Sequence, residues 1–224
     1  MEVSVLDHGY CKLVEHWGSD ERIIESARMS TDGSFRGWES DDKLLSYLWK
    51  HKHYSPFEFP GLTVEVQAPI FVVREWHRHR TQSYNELSGR YTALPNLYYT
   101  PSVERLMVGK QSQKNKQGSE DGFTEAEAIL LRSEIIYATE QARQRYDFLL
   151  ERGLSRELAR CIIPVNQYTK FRASANLRNW LHFLGLRLDR AAQVEIQEYA
   201  KAIGGFVQEL FPRTYALFEE GSNA

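Results

Sequence analysis

Apolar and polar positions alternate most clearly in "LTVEVQA", residues 62–68, which predicts a half-buried strand. "VSVLD" and "CKLVEHW" flank a turn at Gly9 and read as two strands able to pair as a hairpin. Elsewhere the period shifts toward 3.6. Ser19 or Asp20 is placed to cap a short helix, "ERIIESARM", and Asp41 to cap "DKLLSYLWKH", whose Leu44, Leu45 and Leu48 share one face. Pro69 sits where a helix can begin, its missing N–H costing nothing in the first turn, and "IFVVREWHRHR" follows as that helix. Thr124 and Glu127 form a T-x-x-E capping box for a long helix to about Arg152, which Gly153 ends. Ser155 is placed to cap "RELARCII", stopped by Pro164. "ASANLRNWLHFLGLR" reads as helical, with Leu177, Trp180, Leu181 and Leu184 as its buried stripe. Asp189 is placed to cap a last helix carrying Ile196, Tyr199, Ile203, Phe206 and Leu210, which Pro212 interrupts or ends.

Between these segments the pattern lapses. "TDGSFRGWESDD" and "HKHYSPFEFPG" are loop-like, broken by Gly33, Gly37, Pro56, Pro60 and Gly61. Residues 91–101 are irregular and rich in tyrosine, and "GKQSQKNKQGSEDG", 109–122, is poor in apolar residues and reads as a mobile insertion. No repeat and no linker divides the chain. The expected fold is a single α+β domain over 1–224, with an early, mostly antiparallel sheet packed by helices and a helical C-terminal half.

Composition excludes more than it assigns. The 224 residues are 42% hydrophobic, enough for a buried core, and the formal charge of −2 provides no global basic field for nucleic acid. There is no apolar run of the ~18 residues that a membrane span needs. "MEVSVLDHGY" lacks a basic n-region and an apolar h-region, so no secretory signal is expected and the cytoplasm is the default compartment. Cys11 and Cys161 are too few for a disulfide framework or a thiolate cage, and Cys161, in "ARCIIP", reads as core.

The densest chemistry lies in "RHRTQSYNELSGRY", residues 78–91. Arginine presents a fixed fork of donors that fits phosphate, and Arg78, Arg80 and Arg90 stand within one short stretch beginning at a helix C-terminus. Singly, each reads as a helix-end cation paired with a surface carboxylate. As a cluster with Ser83, Asn85, Glu86 and Ser88, they point to a phosphorylated ligand. Gly89 would let that ligand approach the backbone, and Glu86 would hold an arginine or accept from a ribose hydroxyl or a base N–H. The arginines beside His79 disfavour its protonated form. His51, His53, His77 and His79 do not make a metal site: "HKHYSP" is a loop, the "HRH" rings diverge at a helix end, and no acidic ligand stands at helical spacing. Arg178 and His182 share a helix face that Asn176 does not, Arg187 falls just past the apolar run, and Arg160 follows Arg156 by one turn. Ser88 lacks a paired base, and there is no G-x-S-x-G, Walker A or G-x-G-x-x-G motif. A nucleotide bound here would need a site built from arginines and aromatics. A non-catalytic nucleic-acid binder is the rival reading, with the RHR run, the Lys-rich 110–116 stretch and the nearby tyrosines in its favour and the acidic net charge against it.

Arg78-His79-Arg80, seven residues and then Ser88 resemble the RHR-x7-S signature of flavin-dependent thymidylate synthases. "HYSPFEF", "ELARCIIPVNQYTKF" and "ANLRNWLHFLGLRLDRAAQVEIQ" resemble further blocks of that family, so the resemblance spans nearly the whole chain. It implies reductive methylation of dUMP to dTMP, with methylenetetrahydrofolate as carbon donor, NADPH as reductant and FAD as cofactor, in a homotetramer with shared sites. By position it implies that Ser55, Arg78, His79, Arg80, Glu86, Asn176, Leu177, Arg178 and His182 hold FAD. It assigns Glu75, Trp76, His77, Arg78, Glu86, Leu87, Ser88, Gly89, Arg90, Arg160 and Arg187 to dUMP, with Arg187 polarising the pyrimidine as the catalytic cation. Ser88 is implied to position dUMP rather than attack it. The chain departs from some relatives with His182 in place of Asn, Glu75 in place of Gln and Ala191 in place of a polar residue. A related flavoenzyme acting on another pyrimidine nucleotide would carry the same pattern.

Overall fold

The structure is a computed structural model that describes residues 1–113, 116, 118–120 and 122–222. The expected hairpin forms: β1 (Glu2–Val5) pairs antiparallel with β2 (Gly9–Trp17), from Glu2↔Lys12 to Val5↔Gly9. Gly9 is required there, because a Cβ would lie 2.0 Å from the Tyr199 hydroxyl. After α1 (Asp20–Arg28) and α2 (Trp38–Lys50) the chain enters β3 (Gly61–Pro69), α3 (Ile70–Trp76) and β4 (Ser83–Glu86). Then come α4 (Val103–Met107), β5 (Lys110–Gln111), β6 (Ser119–Glu120), α5 (Glu125–Glu151) and α6 (Arg156–Ala159). The chain closes with β7 (Tyr168–Asn176), α7 (Leu177–Arg187), α8 (Val194–Leu210) and α9 (Pro212–Ser222).

The main sheet has the order β1-β2-β3-β7-β4, with every neighbour antiparallel. "LTVEVQA" forms the expected half-buried strand and lies in the middle of the sheet: Leu62, Val64, Val66 and Ala68 are fully buried, while Glu65 and Gln67 between them keep partial exposure. One expectation is corrected: the sheet is not confined to the N-terminal third, because β7 pairs with β3 at all nine positions from Gly61↔Asn176 to Pro69↔Tyr168. "ASAN", expected as helix, is the end of that strand; Phe171, Ala173 and Ala175 point into the core between exposed Lys170 and Arg172 and half-buried Ser174.

Of the two residues expected to cap α1, Ser19 holds the N-cap position, without a side-chain bond, and Asp20 is the buried first residue of the helix. The Asp20 carboxylate accepts from the Arg213 N–H at 2.9 Å, the Thr214 N–H at 3.3 Å and the Thr214 hydroxyl at 2.6 Å, so it caps α9 instead. Burial raises its carboxyl pKa, and those three bonds oppose the rise. Asp41 lies inside α2, where it accepts from the Arg36 N–H at 2.7 Å and pairs with the Arg28 guanidinium, while Gly37 at φ +96° precedes the helix. Asp189 accepts from the Ala191 N–H at 2.7 Å in a turn, and α8 starts only after Gln193. Pro212 interrupts the helical run as expected: α8 stops at Leu210, and Pro212 opens a further helix, α9. Pro69 is the residue before α3, which ends at Trp76 and leaves the RHR run outside the helix. "RELARCII" divides into α6 and a 3-10 turn, Arg160–Ile162, and Cys161 is exposed rather than core. The capping box stands as read: Thr124 N–H to Glu127 at 2.8 Å, Glu127 N–H to the Thr124 hydroxyl at 3.3 Å, and Gly153 at φ +80° past the helix end.

Of the insertion expected at 109–122, residues 114, 115, 117 and 121 lie outside the described ones; β5 and β6 close the remainder as a small hairpin. The main core lies against the sheet beneath α3, α7, α8 and α9, centred on Trp76, Phe171, Trp180, Phe183 and Tyr199. A satellite cluster of Leu94, Tyr146 and Ala159 ties α5 to α6.

Candidate active site

The RHR run begins as α3 gives out. His77 caps that helix, and the Tyr84 hydroxyl donates to the backbone carbonyl of His79 at 2.7 Å, folding the chain back so that β4 can pair with β7. Trp76 anchors this reversal. Its ring is fully buried and its indole N–H donates to Gln82 Oε1 at 3.0 Å. A substrate contact of Trp76 is therefore limited to its backbone, and the same holds for Leu177, whose side chain is core and whose N–H donates to the Pro60 carbonyl at 2.8 Å. Arg78 and Arg80 are exposed to either side of buried His79, with no ion pair among the described residues. His77 packs on Tyr84, ring centroids 4.6 Å apart.

Arg187, the last residue of α7, reaches back to this turn. Its Nε donates to His79 Nε2 at 2.8 Å, Nη1 to Glu75 Oε2 at 2.9 Å and Nη2 to the Glu75 carbonyl at 2.9 Å. Its side chain is only 14% exposed. Burial pushes the His79 pKa down to about 4, with Arg187 and His182 adding to the effect. The expected direction holds, but the responsible cation comes from α7 rather than from Arg78 or Arg80. At neutral pH His79 is uncharged, and its Nε2 lone pair accepts from Arg187. A histidine held below its ordinary 6.5 leaves the unfolded chain binding the extra proton between pH 6.5 and 4, so its stabilising contribution is present above 6.5 and is lost as pH falls toward 4. Urea unfolding of the wild type is expected to lose about 2 kcal/mol between pH 7 and 5 from this group alone, and His79→Gln to lose that much less.

A cavity of about 930 Å³ opens beside His182 and Arg178. Trp49 and Tyr54 supply aromatic walls, Thr81 and Asn179 polar ones, and Phe218 of α9 the far side. Arg178 pairs with Glu58 and lies 5.7 Å over the Tyr54 ring. Ser55 lines an adjoining groove of about 600 Å³ that Glu58 and Arg178 share. Asn176 is the N-cap of α7, its side chain accepting from the Asn179 N–H at 3.0 Å, which explains why it lies off the Arg178–His182 face. Trp49, Tyr54, Glu58, Thr81, Asn179 and Phe218 escaped sequence reasoning as site residues. Of these, Tyr54 and Glu58 stand in "HYSPFEF" beside Ser55, Thr81 directly follows the RHR run and Asn179 follows Arg178, whereas Trp49 and Phe218 lie outside every stretch that carried a signal.

The remaining residues gather on a second surface. Glu86 accepts from the Thr169 hydroxyl at 2.7 Å rather than from an arginine. Leu87 packs against the satellite core, and the Ser88 hydroxyl accepts from the Arg90 N–H at 3.3 Å. Gly89 is buried so closely that a Cβ would meet Leu94 at 3.2 Å and Arg160 at 3.3 Å, while Arg90 pairs with Glu157 at 3.5 Å. No hydrogen bond or ion pair among the described residues joins this loop to Arg187, Arg178 or His182. The structure thus brings the expected residues together as two groups.

The profile of the family described as "Thymidylate synthase complementing protein" matches residues 12–213. A flavin-dependent thymidylate synthase of Thermus thermophilus is 42% identical over 98% of this chain and 79% of its own length. One of Thermotoga neapolitana is 40% identical over 97% of this chain and 94% of its own. A UMP/dUMP methylase of Streptomyces cacaoi, solved with 5-Br dUMP bound, superposes with a TM-score of 0.88 at 31% identity, covering 97% of each chain. With the RHR-x7-S run, the Arg187 site and these likenesses spanning nearly its full length, the chain belongs to the flavin-dependent thymidylate synthase family.

Proposed function

We propose that the protein methylates dUMP to dTMP, taking the one-carbon unit from methylenetetrahydrofolate and two electrons from NADPH, with FAD as cofactor. The observation that carries this reading is Arg187, an oriented guanidinium fixed by three hydrogen bonds at the end of α7 beside neutral His79. A cation held against a pyrimidine carbonyl favours the electron-rich, anionic ring whose C5 must attack carbon, and being pre-oriented it does so without reorganisation at the moment of reaction. Ser88, Gly89 and Arg90 position the nucleotide, with Arg160 as a further donor to its phosphate.

The cavity beside His182 fits a flavin nucleotide chemically: Arg178 offers a fork for a pyrophosphate, Trp49 and Tyr54 offer faces for planar rings, and Ser55 and Asn179 offer hydrogen bonds. When bound, FAD supplies hydride chemistry that no side chain here provides. The two groups of site residues belong to one reaction if they come from different subunits. That supports a homotetramer with shared sites, as do the exposed Ile129, Leu130, Tyr137 and Phe148 of α5, an apolar load that a second copy would cover. The cytoplasm is the compartment where such an enzyme would meet its nucleotide.

The Streptomyces relative, named as acting on UMP as well as dUMP, makes a ribonucleotide substrate the second reading. The test is spectroscopic: protein supplied with FAD is expected to be yellow, with a flavin band that dUMP perturbs. A colourless protein that cannot be reconstituted would reject the proposal, and perturbation by UMP alone would favour the second reading.

A further inference from the structure

We infer that Glu75 is a positioning residue for Arg187, and that its carboxylate weakens the pull of that arginine on an anionic pyrimidine. The inference rests on reading Arg187 as the substrate-facing cation. A guanidinium has five N–H donors. Three are committed here: one to His79, one to the Glu75 carboxylate and one to the Glu75 backbone carbonyl. Two remain for a ligand, and they are aimed by the three that are fixed. The partners come from α3 and the turn after it, and Arg187 comes from α7, so the contact locks two elements that lie more than a hundred positions apart in the chain.

Charge and orientation act in opposite senses at this pair. The carboxylate at 2.9 Å fixes the fork but places a negative charge where an anionic ring has to approach. His79, held neutral, supplies orientation without charge. Glu75 therefore supplies both orientation and opposition. Its side chain is 45% exposed, so water screens the opposition and limits it to a modest factor. The other candidate arginines that pair do so with glutamates too, Arg178 with Glu58 and Arg90 with Glu157, but in more exposed settings and without a second anchoring bond from the same residue. Among these candidate arginines, only Arg187 has all three guanidinium nitrogens held, which decides where the fork points.

The two contributions separate by substitution. Glu75→Gln keeps an acceptor oxygen and the backbone carbonyl while removing the charge. Glu75→Ala removes the carboxylate contact and leaves the fork held by His79 and one carbonyl. With the FAD-loaded enzyme, dUMP binding by equilibrium dialysis and steady-state kinetics are measured for wild type and both variants, at low and at high salt. E75Q is expected to bind dUMP about three- to tenfold more tightly than wild type at low salt, with the difference carried by KM and shrinking as salt rises. E75A is expected to lower kcat by about tenfold or more, and glutamine to restore most of what alanine loses. A purely structural role would instead shift the melting temperature of both variants and leave the KM of E75Q in place. Unchanged dUMP affinity in E75Q, or equal kcat in E75A and E75Q, overturns the inference while wild-type turnover still stands. A wild type that binds no dUMP overturns the proposed function, and this inference with it.

Discussion

Replacing Arg187 with alanine is expected to lower dTMP formation by about 10²- to 10³-fold while FAD stays bound. The size follows from the place of Arg187 in the geometry. It is the one candidate arginine whose side chain is mostly buried and whose fork is fixed at all three nitrogens. Removing a pre-oriented donor from such a site costs transition-state stabilisation, not merely affinity. Truncation also leaves His79 Nε2 and the Glu75 carboxylate without their partner, so lysine should restore little: one ammonium cannot reproduce a fork anchored on two sides. The flavin should remain, because among the described residues no hydrogen bond or ion pair joins Arg178, His182 or Tyr54 of the cavity to Arg187, and Arg178 keeps its contacts with Glu58 and Tyr54. Single-turnover dTMP formation and the flavin absorbance of the same sample check the two halves. Loss of flavin together with activity would place Arg187 in the cofactor's site instead.

Trp76→Ala is expected to carry the largest stability cost, about 3–5 kcal/mol. The ring is fully buried, with Phe183 at 4.6 Å, Phe171 at 5.2 Å, Trp180 at 6.3 Å and Tyr199 at 6.4 Å between centroids. Its removal opens a cavity where α3, α7, α8 and β7 meet, and it takes the partner from Gln82 Oε1 in a side chain whose Nε2 is already buried without one. That loss is a large share of the 5–15 kcal/mol by which a domain of this kind is stable. The damage is also local to the chemistry, since Trp76 is the residue from which His77, Arg78 and His79 turn out of the helix. Urea unfolding should show a much lower midpoint for W76A and a smaller loss for Trp76→Phe. An unchanged midpoint would show that the aromatic cluster is not what holds the site together.

What could be read from the chain alone follows the range of the interactions concerned. The β1–β2 hairpin and the Thr124–Glu127 capping box are made by residues within a few positions of one another, and both stand as read. The same local logic places Ser19 at the start of α1, where it stands, but does not foresee where Asp20, Asp41 and Asp189 go. Asp20 serves a helix that begins some 190 positions later, and Asp41 is held by Arg28 and the Arg36 backbone. The strand β7 was missed because Ala173 and Ala175, weak strand formers, continue into a strongly helical stripe. Its pairing with β3 and β4 overrides that preference. At the site, the polar density of residues 78–91 was legible as composition. The Arg187–His79–Glu75 contact was not, because it joins positions 108 and 112 apart. Trp76, grouped with the substrate residues by its neighbours in sequence, has a core side chain, which leaves only its backbone for a ligand.

The central claim is the methylation itself. Purified protein reconstituted with FAD and given dUMP, methylenetetrahydrofolate and NADPH is expected to form dTMP, with NADPH oxidised in step and no product when FAD is omitted. Flavin-loaded protein that oxidises NADPH yet yields no methylated nucleotide from dUMP would contradict it.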